Sequence, residues 1–312
     1  MEGLLPSPSG VLQAYFVLTG LLVVSLNVFP ENVKKVLMAY GARRDDAAGA
    51  ESAAAAVPDF LSKLIARTQV PHSWYWHFYA LSAGLSLFWA EQFFSHGRMM
   101  GMLVSWSAGK GRSSSQSQHA TMVLAKVVLA WCLMALQGAR RLWECFFVMR
   151  PGKSPMLAVH WVVGLGFYAA MSMAIWVEGS SAILASWESH GSTIVALLSP
   201  RVLFSAVVYL AACTGQNRCH KHLASLKKYT LPSEGLFNYI VCPHYTCEIA
   251  IYLAIAFLAA PEGKFFNMTI LSGLVFVVGN LGTTASGTRK WYAAKFGTES
   301  VAAKWAIIPG IF

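Results

Sequence analysis

Residues 156–177 read MLAVHWVVGLGFYAAMSMAIWV, 22 residues without an Asp, Glu, Lys or Arg. As an α-helix rising ~1.5 Å per residue, such a run covers the roughly 30 Å of a bilayer's hydrocarbon core. Hydrocarbon offers backbone amides no partner, so a helix, which pairs them internally, is the form the run must take. Comparable charge-poor stretches recur at 9–29, 74–95, 120–138, 192–213, 238–260 and 265–286. The expected architecture is therefore an all-α integral membrane protein of about seven transmembrane helices. The 238–260 interval is the weakest, because Pro243, His244 and Glu248 stand in its first half. A six-span chain is the alternative.

Composition agrees with the pattern. Only 12% of the 312 residues are charged and 56% are hydrophobic, where a soluble domain carries about a quarter charged residues. The net charge of +10 is distributed unevenly. Lys34, Lys35, Arg43, Arg44, Lys63 and Arg67 lie between the first two intervals, and Arg140, Arg141, Arg150 and Lys153 between the third and fourth. Arg218, Lys221, Lys227 and Lys228 lie between the fifth and sixth, and Arg289, Lys290, Lys295 and Lys304 after the last. The alternate segments hold only Arg98, Lys110, Arg112 and Lys264. By the positive-inside rule the N-terminus is lumenal and the C-terminus cytosolic. The alternation favours an odd number of spans, since six would put neighbouring basic segments on opposite sides.

The first apolar run lacks a basic n-region and is expected to stay as an anchor. Residues 41–58 and 105–119 read as linkers, no internal repeat stands out, and residues 1–312 are treated as one membrane domain. Short, scattered basic loops suit anionic lipid headgroups and exclude a nucleic-acid groove. The six cysteines show no C-x-x-C spacing and read as reduced packing residues. Neither H-E-x-x-H, nor a P-loop, G-x-S-x-G or G-x-G-x-x-G is present, so zincin, NTPase, serine hydrolase and Rossmann readings lose their support. His220 and His222 point about 160° apart on a helix, and no metal site is expected.

Ionisable groups in or beside a bilayer are costly unless partnered. Here they gather at the cytosolic ends of the intervals: His77 and Tyr79, then Arg140, Arg141 and Glu144, then His220 and His222, Glu248, and Arg289, Lys290 and Tyr292. Each also has a plain structural reading. His77 and Tyr79 suit an aromatic belt, and Arg141 with Glu144 suits an i,i+3 salt bridge.

The C-terminal region resembles the steroid 5α-reductase family, and most closely its polyprenol (polyprenal) reductase branch. The resemblance is carried by QNRCHKHLASLKK (Gln216–Lys228), LPSEGLFNYIVCPHYTCEIAIY (Leu231–Tyr252), RKWYAAKF (Arg289–Phe296) and AIIPGIF (Ala306–Phe312), with P-H-Y-x-x-E the most specific piece. VPHSWYWHFY (Val70–Tyr79) and RRLWECFFV (Arg140–Val148) favour the polyprenol branch. The resemblance implies an NADPH-dependent oxidoreductase of the endoplasmic reticulum membrane. Its substrate would be a polyisoprenoid lipid, whose α-isoprene double bond is saturated in dolichol synthesis for protein N-glycosylation. Residues 192–312 would form the NADPH-binding reductase region.

It further implies cofactor contacts at Gln216, His220, Lys227, Tyr229, His244, Glu248, Arg289 and Tyr292, and a catalytic set of His77, supported by Tyr79, with Arg141 and Glu144. The chain departs from the family pattern in three places: Arg289 stands where the family has His, Thr230 where it often has Arg, and SVAAKWA (Ser300–Ala306) replaces a Tyr-Pro-basic segment. Lys228, Arg289 and Lys304 are the candidate substitutes for phosphate contacts. The rival activities on the same fold are a steroid 5α-reductase and a trans-enoyl-CoA reductase, and the non-enzymatic rival is a seven-helix receptor or channel. No obligate protein partner is implied.

Overall fold

The computed structural model describes residues 6–30, 33–34, 59–108, 123–150, 152, 154–188, 199–227 and 229–312. Among these the chain is helical: α1 (Pro8–Ser25), α2 (Asp59–Arg67), α3 (Trp76–Phe94), α4 (Arg98–Ala108), α5 (Leu124–Phe147), α6 (Ala158–Val177), α7 (Ser180–Glu188), α8 (Pro200–Ser225), α9 (Pro243–Leu258), α10 (Met268–Phe296) and α11 (Glu299–Ala302). The only sheet among the described residues has two strands, β1 (Gln69–Pro71) and β2 (Pro155–Leu157).

Each apolar interval of the sequence overlaps one long helix. Residues 8–28, 158–177 and 268–296 are long and apolar enough to cross a membrane, and α9 is a shorter apolar helix. The protein is thus an all-α membrane protein. Helices α4 and α7, which pack on each other, lie outside the apolar intervals of the sequence, as do the short α2 and α11. Residues 105–108, read as the start of a linker, belong to α4; residues 109–119, the rest of that linker, and the linker at 41–58 lie outside the described residues.

Local chemistry sets the helix starts. Ser7 accepts a hydrogen bond from the Gly10 amide at 3.1 Å, with Pro8 opening α1, and Ser199 accepts from the Val202 amide at 3.3 Å, with Pro200 opening α8. Asn267 accepts from the Ile270 amide at 3.0 Å to start α10, while its own amide nitrogen donates to the Ala259 carbonyl at 3.3 Å and ties that start to the end of α9. In each case a polar side chain takes over an amide that the first helical turn leaves unpaired.

The long helices pair as α1 with α10, α8 with α9, and α3 with both α5 and α6. The α1–α10 seam is close because Gly20 faces the backbone of α10: a Cβ there would stand 3.2 Å from Phe276 Cα. Small residues let membrane helices approach in this way. Phe276 stacks on Phe167 of α6 at 5.0 Å, and Phe16 meets Phe167 at 5.8 Å, which joins three helices in one apolar core.

Two short backbone pairings position the polar ends. β1 and β2 run antiparallel with Gln69 opposite Leu157, bringing the start of α3 beside the start of α6. The C-terminal tail is strapped to the start of α9: the Val241 amide donates to Trp305 O at 2.8 Å and the Cys242 amide to Ala306 O at 3.1 Å.

Candidate active site

α5 runs nine residues past the end of its apolar interval, so Gln137, Arg140, Arg141 and Glu144 climb one side of a single helix at spacings of three and four. Glu144 is fully buried. Its Oε1 takes Arg140 Nη1 and its Oε2 takes Arg141 Nη1. From α8, Asn217 Nδ2 donates to Oε1 at 2.7 Å, and His220 Nδ1 lies 2.7 Å from Oε2. The same His220 nitrogen is 2.9 Å from Arg141 Nη1. Guanidinium has no lone pair to offer, so the carboxylate is the partner that can take a hydrogen from Nδ1.

A second carboxylate, Glu248 of α9, joins this knot through amides. Gln137 Nε2 donates to Glu248 Oε2 at 3.1 Å, and Gln216 Nε2 donates to the same oxygen. Arg140 Nη2 donates to Gln137 Oε1 at 2.7 Å and to Gln216 Oε1. Two arginines and two glutamates from α5 and α9 are thereby held in one network through α8. Such a set is stable in low dielectric only when the charges balance and their hydrogen bonds are made.

Arg141 also reaches α3. Its Nη2 donates to the Tyr79 hydroxyl oxygen at 2.9 Å, and the guanidinium carbon sits 4.7 Å from the Tyr79 ring centre. Because Tyr79 Oη accepts from Arg141, its own hydrogen is left to donate elsewhere. His77, two residues earlier and therefore about 200° around the helix, goes to a different place. Trp161 Nε1 donates to His77 Nδ1 at 3.2 Å, and the Trp76 and Trp74 rings lie 4.1 and 5.3 Å from the imidazole. An Nδ1 that accepts leaves the hydrogen on Nε2. Of the residues assigned to catalysis from the sequence, Tyr79, Arg141 and Glu144 are brought together and His77 stands in a tryptophan enclosure beside them.

The residues assigned to the cofactor divide in the same way. Gln216, His220, His244 and Glu248 meet at the knot: Gln216 Nε2 lies 3.2 Å from His244 O, and the His220 and His244 rings are 5.7 Å apart. Lys227 and Tyr229 lie beyond the end of α8, both exposed. Tyr229 has φ +65°, a backbone conformation uncommon outside glycine, and Lys295 Nζ sits 4.4 Å over its ring. Arg289, with Lys290, Ser286 and Thr298, lines an open cleft of about 430 Å³ near the C-terminal Phe312. Tyr292 packs on the small core of Val241, Val301 and Ile307. Burial lowers the pKa of Lys304 in the tail; Lys228 lies outside the described residues.

A polar, anionic cofactor suits what the knot leaves open. Arg140 Nε, Arg141 Nε and His244 Nδ1 are buried nitrogens without a hydrogen-bond partner. Buried polar atoms are seldom left so unless something else completes them.

The sequence reading assigned no role to Gln137, Asn217, Tyr168 and Tyr252. Gln137 carries a usable signal, a lone amide in an apolar run one turn before Arg140 and Arg141. The tyrosines carry none, since an aromatic residue inside an apolar helix looks like packing.

Residues 165–312 match the family model described as 3-oxo-5-alpha-steroid 4-dehydrogenase. The chain is 25% identical over 290 residues to "Polyprenal reductase 2" of Oryza sativa subsp. japonica, covering 78% of this chain and 80% of that one. It is 28% identical over 264 residues to "Polyprenal reductase 1" of Arabidopsis thaliana, covering 71% and 81%. To "Polyprenal reductase" of Saccharomyces cerevisiae it is 29% identical over 187 residues, covering 60% and 65%. The matched family segment holds Gln216, His220, His244 and Glu248, while Tyr79, Arg141 and Glu144 precede it.

Proposed function

We propose that the chain, which is similar to the 3-oxo-5-alpha-steroid 4-dehydrogenase family over residues 165–312 and to polyprenal reductases over more of its length, is an NADPH-dependent reductase that saturates the α-isoprene double bond of polyprenal on the way to dolichol. The observation that carries this reading is the buried Arg141, which joins Tyr79, Glu144 and His220 from three helices at one point. A receptor or channel gains nothing from so costly an arrangement. A reaction that develops negative charge on an oxygen does.

When bound, NADPH supplies the hydride for the β carbon of the enal. The residues that would hold it are Gln216, His220, His244 and Glu248 at the knot, with Lys227, Tyr229, Arg289 and Tyr292 toward the cytosolic side. The cationic groups suit phosphates, and Glu248 suits hydroxyl or carboxamide hydrogens. Tyr79 donates to the aldehyde oxygen and stabilises the enolate, while Arg141 fixes the hydroxyl and lends positive charge. Glu144 holds both arginines in place. His77, with its hydrogen on Nε2, is the second candidate donor, and the substitution Tyr79→Phe against His77→Ala ranks the two. The helix walls take the polyisoprenoid tail.

The topology belongs to the same proposal: seven spans, a lumenal N-terminus and a cytosolic C-terminus in the endoplasmic reticulum membrane, the product serving protein N-glycosylation. Purified protein with polyprenal and either NADPH or NADH, followed by mass spectrometry, tests the reading. A product two mass units heavier with NADPH is expected. Saturation of a 3-keto-4-ene steroid or an enoyl-CoA but never of polyprenal would reassign the substrate, and no saturation of any of them would sink the reductase reading.

A further inference from the structure

The proposed reaction needs two services at neighbouring atoms, a donor at the carbonyl oxygen and a proton for the α carbon. Tyr79 and Arg141 provide the first. The second has no residue yet, and the structure holds two further tyrosines on the neighbouring helices, Tyr168 against the Tyr79 ring and Tyr252 behind it.

Tyr168 is the eleventh residue of α6 and Tyr252 the tenth of α9, ~14–15 Å along each helix from its start. A phenol at that depth is costly unless its hydroxyl is partnered. Tyr252 is 1% exposed and Tyr168 is half-buried. Phe167 packs against both, its ring centre 5.3 Å from that of Tyr168. Tyr168 meets Tyr79 edge-on, with ring centres 5.6 Å apart and planes at 67°, and Phe78 stacks on it at 6.2 Å. Tyr252 lies one turn beyond Glu248 on the same face of α9, and Phe167 holds its ring edge-on at 5.9 Å. Tyr79, Tyr168 and Tyr252 are therefore linked ring to ring, the last two through Phe167, and the chain of aromatic rings ends one helical turn from Glu248.

We propose that Tyr168 is the acid that protonates the α carbon, with Tyr252 a positioning residue that passes on the replacement proton; the assignment rests on the reductase reading. The α carbon is bonded to the carbonyl carbon, so its donor must stand next to the residue that holds the carbonyl oxygen, and Tyr168 does. After hydride addition the enolate collapses to the aldehyde: the enolate π pair forms the α C–H bond, and the Tyr168 O–H bond breaks. The phenolate left on Tyr168 is stabilised by the Arg141 charge and takes a proton from Tyr252. Tyr252 is reprotonated from the Glu248 side, where water supplies the proton. No electrons are exchanged beyond those of the hydride.

The test uses Tyr168→Phe, Tyr252→Phe and Tyr79→Phe in the full chain, each ring being kept so that packing survives. Turnover of polyprenal in D₂O is read by the face on which deuterium enters the α carbon. The parent is expected to give one face. Tyr168→Phe is expected to lose about 10²-fold in kcat with KM unchanged, and to give both faces because water replaces the donor. Tyr252→Phe should keep the single face and show a larger solvent deuterium effect on kcat than the parent.

A second readout needs no cofactor: the absorbance of retinal, a polyene aldehyde, on binding. The red shift caused by a hydrogen bond to the aldehyde should persist in Tyr168→Phe and vanish in Tyr79→Phe. A single face with kcat within twofold of the parent in Tyr168→Phe, or loss of its retinal shift, overturns the α-carbon assignment. An unchanged isotope effect in Tyr252→Phe removes Tyr252 from it. If the parent saturates no enal, the reductase reading fails and takes this assignment with it; a working parent with an indifferent Tyr168→Phe defeats the assignment alone.

Discussion

The seam between α1 and α10 and the knot between α5, α8 and α9 are built on opposite principles. The seam is apolar along its length, with Gly20 and Gly279 letting the backbones close and side-chain hydrogen bonds only toward its ends, Gln13 to Thr269 at 3.1 Å and Asn27 to Thr283 at 3.0 Å. Many small contacts hold it, and any one is dispensable. The knot is held by few polar contacts, centred on the buried Arg141 and Glu144 with the half-buried Arg140 and Glu248 around them. Loss of one member leaves its partner charged and dry. The proposed reaction, which sets a polar cofactor against a lipid tail, would use these two kinds of contact in separate places.

Four substitutions sharpen that contrast, the first expected to do the most damage. Glu144→Ala leaves Arg140 and Arg141 buried without their carboxylate and should cost about 3–5 kcal/mol, seen as a large fall in thermal unfolding temperature in detergent and loss of turnover. A Glu144→Ala protein as stable as the parent would show that the knot is not a structural unit. Tyr79→Phe removes only the hydroxyl at the edge of the knot; kcat should drop about 10²–10³-fold while unfolding stays near the parent's. Unchanged kcat there would shift the donor role to His77.

Gly20→Leu pushes a side chain against the Phe276 backbone, and overpacking of this kind costs about 1–3 kcal/mol. Stability should fall while KM for NADPH holds, because the knot is built on α5, α8 and α9 and not on this seam; a KM change larger than the stability change would contradict the separation. The smallest effect belongs to Arg289→Gln in the open cleft. A half-buried cation at the mouth of an open cleft is still reached by solvent and salt, so KM for NADPH should rise only several-fold, less at high salt, with kcat retained. A rise that ignores salt would mean that Arg289 acts through shape instead of charge.

The helical fold was readable in the sequence because hydropathy is a local property: residues 156–177 announce α6 with no help from the rest of the chain. Helix ends were less readable. α5 continues to Phe147 because Arg140, Arg141 and Glu144 find partners on α8, which hydropathy does not record. The polar clustering at helix ends was visible, as was the i,i+3 relation of Arg141 and Glu144. That Tyr79 and not His77 touches Arg141 was not, although the two residues are neighbours, since their separation around α3 matters only once α5 is in place.

The sequence by itself determined that this chain is a helical membrane protein with its charge gathered at helix ends, because the cost of burying backbone amides and charges in hydrocarbon acts residue by residue. Tertiary structure alone decided which charges meet, that Tyr168 stands beside Tyr79 and that Phe167 packs against both Tyr168 and Tyr252. Those contacts join α3, α5, α6, α8 and α9 across long stretches of chain, and their free energy exists only when the helices cross.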